Sequence, residues 1–461
     1  MSRITRRRFL VTGTAAVAAP AIGNVTSGMA QSGDVDVVII GAGAAGIAAA
    51  RRVAAAKRSF MLLEASDHVG GRCVTDTRFF GVPFDRGAHW VHKPDSNPLV
   101  KLATGVEIYR APRAQSLRIP PRAARDSELE QYFSALVRGS RAIIDAGRGK
   151  TDMAARAALP KDLGDWQASV EFALGPYSTG KDLGAMSSMD FARAGEREAD
   201  GLCRQGYGAL LAKLAAGVPV QLSAPVTQLE WGTGLEARTP KGRIRARAAI
   251  VTVSTSAIAA GGIAFSPALP KRQLDACNAL SLGTFEHIAF EASGLGLAAD
   301  DLVIEKASGP RTAALVANIG GTGLCTVEVG GSFGRELVTQ GEAAMIAFAN
   351  DWMAETFGGG ARGIVKRAMA TRWSDDPLIR GSFSAASPNN ADARRILLEP
   401  MRDRVWFAGE AVHDTLWGTV GGAWDSGTRT ADAALRKLGV KLKDDAPERP
   451  QPKQRRGRAR G

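Results

Sequence analysis

The clearest apolar pattern in the chain lies near its start. Val35, Val37, Val38, Ile39 and Ile40 form a short, almost continuous apolar run, the pattern of a parallel strand buried on both faces. It breaks at Gly41-Ala42-Gly43-Ala44-Ala45-Gly46, after which an Ala-rich helix is expected from Ile47 to about Ala56. A second run at 59–63 predicts another strand, and it ends at Glu64, 18 residues after Gly46. The rhythm then changes. Residues 96–200 are richer in helical spacing, with an amphipathic segment at 129–144. From Gly206 a helix at 209–215 precedes short strands at 218–222, 226–231 and 248–253. Residues 271–394 mix strands and helices, including an amphipathic helix near Glu342–Phe357. A last buried strand at 405–408 and a closing helix at 421–438 complete the pattern, and no internal repeat is evident.

The glycine turn carries chemistry because of what surrounds it. Gly41 permits the tight turn, Gly43 lets the backbone approach a pyrophosphate, and Gly46 allows close packing of helix on strand. The helix start offers unpaired N–H groups and a partial positive charge to phosphate. Glu64, an acceptor only when ionised, suits the two hydroxyls of a ribose. Strand, glycine turn, helix, strand and acid together predict a dinucleotide site.

Charge changes the picture less than its total suggests. The net charge is +13, but the first 32 residues contribute +4 and the last 21 contribute +5, leaving +4 for the body. That distribution argues against a nucleic-acid binder. The tail at 441–461 is basic, Pro-rich and nearly free of apolar residues, which reads as a solvated, disordered segment. The leader is an address: Thr5-Arg6-Arg7-Arg8-Phe9-Leu10 resembles the twin-arginine export signal, and a mild apolar stretch runs from there to about Ala30. Thr12, Thr14, Pro20 and Asn24 make that stretch too polar for a membrane span. Export through the twin-arginine translocase to the periplasm or beyond is the expectation, with cofactor acquired beforehand. Cys73, Cys203, Cys277 and Cys325 are widely spaced and show no zinc or disulfide framework. An exported chain could carry one bridge, but most of them read as small core residues. No metal site is expected.

Four ordered segments carry a family resemblance. Leu63-Glu64-Ala65, with Gly70-Gly71-Arg72, resembles the Glu-Ala…Gly-Gly-Arg segment of the flavin amine oxidase superfamily. Phe84-Asp85-Arg86-Gly87-Ala88-His89-Trp90-Val91-His92, followed by Asn97-Pro98, resembles the loop of polyamine and spermine oxidases that passes the flavin ring. Thr371-Arg372-Trp373-Ser374-Asp375-Asp376-Pro377, with Arg380-Gly381-Ser382-Phe383-Ser384, is similar to a third signature. Val405-Trp406-Phe407-Ala408-Gly409-Glu410 and Gly418-Thr419-Val420-Gly421-Gly422-Ala423 resemble the C-terminal flavin-binding segment. The resemblance runs from about residue 35 to 435. It implies an α/β fold in which a GR2-type Rossmann-like FAD-binding domain (33–95, 200–270 and 395–440) is interleaved with an α+β substrate-binding domain (96–199 and 271–394).

The resemblance also implies roles. Ala45, Gly71, Arg72 and Glu410 would contact the diphosphate and ribityl region, Glu64 the adenosine ribose, and the Val226 backbone the adenine. His89, Trp90, Thr419 and Val420 would lie along the isoalloxazine. Phe383 takes the position of an aromatic cage wall, Trp417 is a second candidate wall or a core residue, and His92 sits where relatives face the substrate channel. His68 and His413 read as structural or exposed. The lysine that many relatives bridge through water to flavin N5 is replaced by His287, after Gly283-Thr284-Phe285-Glu286. His287 could hold that water and titrate near neutrality, or it could be a hydrogen-bonded core residue. No cysteine stands in the C-terminal motif, so FAD is expected to be non-covalent.

The implied activity is FAD-dependent oxidation of an amine, with hydride passing from the α-carbon to flavin N5 and O2 or another acceptor taking the electrons. An L-amino-acid oxidase, a desaturase or porphyrinogen-type oxidase, and a non-catalytic flavoprotein are the competing readings.

Overall fold

The computed structural model describes residues 34–110, 115–194, 199–292 and 295–442. The arginine-rich leader and the basic tail beyond residue 442 lie outside them.

The first apolar run is the strand Val35–Ile40, which lies between Phe60–Leu63 and Gly242–Val251 and runs parallel to both. Val220–Gln221 extends the sheet beyond Phe60–Leu63, and Val405–Phe407 pairs with Gly242–Val251, both again parallel. Parallel strands need cover on both faces. Val37 and Ile39, fully buried, pack toward the helices Ala44–Ala55 and Val420–Lys437, while Val38 and Ile40 face the opposite cluster around Leu229 and Ile258. Each such side chain contributes about 1.5–3 kcal/mol of burial. Gly427 lets the two helices touch, since a Cβ there would sit 2.1 Å from the Ala45 carbonyl oxygen.

Two boundaries differ from the apolar reading. The first helix starts at Ala44, because the extended Gly43 already serves as its cap. Gly242–Val251 begins well before the predicted 248, because Arg243, Arg245 and Arg247 alternate with the more buried Ile244 and Ala246 in a hairpin with Glu236–Thr239. An apolar-run criterion misses the alternating half of such a strand. All four cysteines are buried and free.

A second sheet of seven strands comes from residues 115–123 and 285–370, and most of its neighbours are antiparallel. Its strands Phe285–Glu291 and Leu324–Gly330 pair in register. Ile288, Phe290, Val327 and Val329 point to one face and bury the helix Glu342–Phe357 through Met345, Phe348 and Trp352. The period of two sends His287 and Glu328 to the other face, directly opposite one another. No described helix is long and apolar enough to cross a membrane.

Candidate active site

One cavity of about 1130 Å³ runs from the C-terminal rim of the parallel sheet to the polar face of the second. That exceeds the ~1,000 Å³ upper range for a single drug-sized ligand. It has room for a cofactor and a substrate.

The cradle is built by backbone first. Gly41 turns with φ of +104°, and a Cβ there would lie 2.5 Å from Thr252 Oγ1. A Cβ on Gly46 would lie 1.8 Å from the Gly41 carbonyl oxygen, so this contact admits only glycine. Gly43 differs. Its φ of −76° suits any residue, and a Cβ there would meet only the Gly70 carbonyl oxygen at 3.9 Å. It is open floor beneath the cavity. The helix Ala44–Ala55 has no side-chain cap and no acid in its first turn, so its N–H groups and dipole are left for an anion. Glu64 is fixed at the wall: one carboxylate oxygen accepts Ala42 N–H at 2.6 Å, and the other accepts Ser66 N–H at 2.9 Å and Ser66 Oγ–H at 2.8 Å. Open floor, free donors and a fixed acceptor fit the pyrophosphate and ribose of a dinucleotide. Val226 lines the same cavity beyond Glu64.

Arg72 lies beside this cradle. Its guanidinium donates to the Ser382 carbonyl at 2.6 Å and to Glu410 at 2.9 Å. Glu410 also accepts Ser384 Oγ–H at 2.8 Å and Gly418 N–H at 2.9 Å. Burial alone would raise the Glu410 carboxyl, but the Arg72 and Arg394 guanidiniums and the Ser384 hydroxyl hold it below the ordinary carboxylate range. Behind it, Arg394 forms a buried two-bond pair with Asp190 at 2.7 and 2.8 Å and donates to the Ala411 carbonyl at 2.7 Å. This network fixes the segment that carries Phe383.

Beyond the cradle the lining turns aromatic. Phe285 and Phe383 have ring centroids 5.9 Å apart, and Tyr177 stands 5.8 Å from Phe285. His89 and His287 meet edge to face at 4.9 Å, and His89 tilts against Trp90 at 5.1 Å. Behind both imidazoles sits Glu328, with no exposure, its carboxyl 3.3 Å from His89 Nε2 and 3.7 Å from His287 Nε2. One nitrogen or oxygen from each of the three lies within 4.8 Å of the others. Burial lowers His287 to about 3, helped by repulsion from His89, and lowers His89 to about 4. Burial pushes Glu328 up to about 8, against the lowering effect of the Tyr177 and Thr326 hydroxyls.

The sequence reading meets this geometry unevenly. Gly41, Gly43, Ala45, Glu64, Gly71, Arg72, His89, Trp90, His92, Val226, His287, Phe383, Glu410, Thr419 and Val420 all line the one cavity. Gly46 serves from behind, through the close contact just described. His287 does not titrate near neutrality, because burial keeps its ring uncharged. Trp417 is not a wall. Its side chain is fully buried among Ile143, Met186 and Ala385, with the Arg394 guanidinium 4.6 Å from its ring. Thr419 caps the last helix by accepting Gly422 N–H at 2.9 Å. His68 is exposed beside Asp67, and His413 is buried against Asp425 at 3.1 Å. Glu328 and Asp190 were missed. A lone acid inside the apolar run Leu324–Gly330 was the available signal for Glu328.

Comparison with known proteins gives this geometry a lineage. Residues 39–104 match the NAD(P)-binding Rossmann-like domain. The chain is 26% identical to human lysine-specific histone demethylase 2 across 86% of its own length, but it spans only 53% of that relative. It thus covers about half of the demethylases it matches. Against polyamine oxidase 5 of Oryza sativa subsp. japonica the identity is 25%, covering 88% of this chain and 89% of the relative. Two solved structures share the fold, each with a TM-score of 0.74 and 18% identity. Putrescine oxidase bound to putrescine covers 87% of this chain and 99% of its own. Cyclohexylamine oxidase from Brevibacterium oxydans IH-35A covers 88% and 100%. Residues 146–435 match the model for flavin containing amine oxidoreductases, well over half of the chain, and the protein therefore belongs to that family.

Proposed function

We propose that this protein is an exported FAD-dependent amine oxidase acting on a primary or secondary amine. The α-carbon of the amine loses a hydride, and the imine left behind is hydrolysed to an aldehyde or ketone and an amine or ammonia. The observation that carries this reading is the continuity of the dinucleotide cradle with the arm walled by Phe285, Phe383, Trp90 and Tyr177. A non-covalently bound flavin would supply the electron-pair acceptor, with O2 as the final oxidant giving H2O2.

The remaining work falls to the chain. The open floor at Gly43, the start of the helix Ala44–Ala55 and Arg72 hold the diphosphate, and Glu64 holds the ribose. Phe285 and Phe383 exclude bulk water and solvate an unpaired ammonium poorly, so the amine enters the arm without its extra proton. His287 lines the arm as a neutral imidazole, because burial and repulsion from His89 hold its pKa well below neutrality. Relatives named for polyamine, putrescine and cyclohexylamine oxidation support an amine as substrate.

The test is anaerobic mixing of the yellow holoprotein with monoamines, polyamines and L-amino acids. Loss of the flavin band at about 450 nm on mixing with an amine is the expected result. Bleaching by amino acids alone would select the L-amino-acid oxidase reading, and no bleaching by any compound would sink the oxidase reading. Export is inferred from Arg6-Arg7 and the mild apolar stretch that follows.

A further inference from the structure

The His89, His287 and Glu328 cluster raises a question of proton placement. His89 Nδ1 faces the Gly87 carbonyl at 3.4 Å, and a carbonyl can only accept, which assigns the ring proton to Nδ1. Burial keeps that ring neutral near pH 7. Its Nε2 is then a bare lone pair, buried and without another hydrogen bond, 3.3 Å from a carboxyl oxygen of Glu328. Two acceptors at that distance repel unless a proton lies between them. The proton belongs to Glu328, since no described lysine or arginine pairs with this fully buried carboxyl. The polar groups that face it are Thr326 on its own strand, His287 on the next, His89 from the loop and Tyr177 from the helical turn Ala173–Tyr177. On its other side the neighbouring strand offers Ala314. None of these can neutralise an ionised carboxylate with a fixed positive charge.

We propose that Glu328 is a positioning residue: its proton, held against His89, keeps both imidazoles neutral beside the cofactor arm, and its loss in alkaline solution opposes reduction of the cofactor. His89 and His287 line the cavity, whereas Glu328 stands behind them, out of reach of substrate. Ionisation releases one proton to solvent and leaves one negative charge in a medium that screens it poorly. A cofactor that gains electrons beside that charge is less stable reduced. The inference rests on a flavin occupying the arm, as the proposed function has it, but not on which amine is oxidised.

The experiment follows the holoenzyme from pH 6 to about pH 10, with flavin reduced by dithionite or by light rather than by an amine. In the wild type the flavin spectrum should titrate near pH 8, where Glu328 loses its proton, and the midpoint potential should fall more steeply with pH across that range. Glu328→Gln, whose amide can donate to His89 Nε2, should abolish both effects. His89→Gln offers an N–H to the carboxylate and should move the titration to lower pH, so the inference stays open to refutation if Glu328→Gln loses flavin. Identical pH profiles in wild type and Glu328→Gln would overturn it. So would a stoichiometric transition metal in the holoenzyme that departs in Glu328→Gln. Chemical reduction needs no amine, so a failure of the amine panel leaves this result readable.

Discussion

Arg72 and Glu410 lie 338 residues apart in the chain and meet at 2.9 Å, the guanidinium of an early loop closing on a carboxylate near the end. The same carboxylate takes Ser384 and Gly418, and the same guanidinium takes the Ser382 carbonyl. The cofactor cradle and the segment bearing Phe383 are thereby held by one ion pair.

Glu410→Ala leaves the Arg72 guanidinium, the Ser384 hydroxyl and the Gly418 N–H without that acceptor. Removing one partner of a buried pair costs about 3–5 kcal/mol. Arg72 keeps a quarter of its side chain in solvent, so about 2–3 kcal/mol is expected here. Thermal unfolding should shift down by several degrees, and flavin should be lost on gel filtration. An unchanged melting temperature with full flavin content would refute the assignment.

Two glycines of the same turn should behave differently. Gly46→Ala forces a Cβ against the Gly41 carbonyl and should destabilise the protein even without cofactor. Gly43→Val places its side chain on open floor, so the apoprotein should melt near the wild-type temperature while FAD affinity drops at least about tenfold. Equal losses of apoprotein stability in both variants would show that Gly43 is structural.

Phe383→Ala opens the aromatic arm to water while leaving Arg72, Glu410 and Ser384 in place. Flavin content should hold, and the rate constant for reduction by amine should fall about tenfold to a hundredfold at subsaturating substrate. Stopped-flow reduction kinetics decide it, and a rate within twofold of wild type returns Phe383 to a packing role.

The buried cluster makes stability depend on pH in two directions. Glu328 titrates near 8 in the folded protein against 4.5 as its ordinary value, so its contribution is full below about 4.5 and is lost as pH rises toward 8. His89 and His287 titrate near 4 and 3 against 6.5, so their contribution is full above about 6.5 and is lost as pH falls through the folded values. Urea unfolding at several pH values should show Glu328→Gln losing less stability than wild type between pH 5 and 8, by up to a few kcal/mol. Parallel pH dependences would contradict the protonation of Glu328.

Replacing Arg6 and Arg7 by lysine should leave the enzyme folded and yellow but retained in the cytoplasm. Fractionation followed by a flavin assay reads this directly, and undiminished export of the double variant rules out the twin-arginine route.

The sequence spoke plainly where function is local and faintly where it is assembled. Gly41, Gly43, Gly46 and Glu64 fall within a single strand–turn–helix–strand unit, so spacing alone located them. Arg72 and Glu410 were legible through resemblance, each within its own motif, but their mutual contact was not. Glu328 stood out only as a lone acid in an apolar run, and its partners His89 and His287 were hidden because they depend on the register between Phe285–Glu291 and Leu324–Gly330, which no local pattern encodes. Trp417 misled for the opposite reason. It stands next to a cofactor motif, yet its ring turns inward beneath Arg394 into the cluster with Ile143 and Met186. Neighbourhood in sequence did not fix the direction of a side chain.

The Arg72–Glu410 closure also has a meaning in time. During synthesis the glycine turn and Arg72 emerge well before Glu410, which follows Arg72 by 338 residues. Until then the cavity lacks one wall and the carboxylate that orients Arg72. The cavity is therefore complete only when segments 338 residues apart have both been made, and the early glycine turn is not a finished pocket by itself.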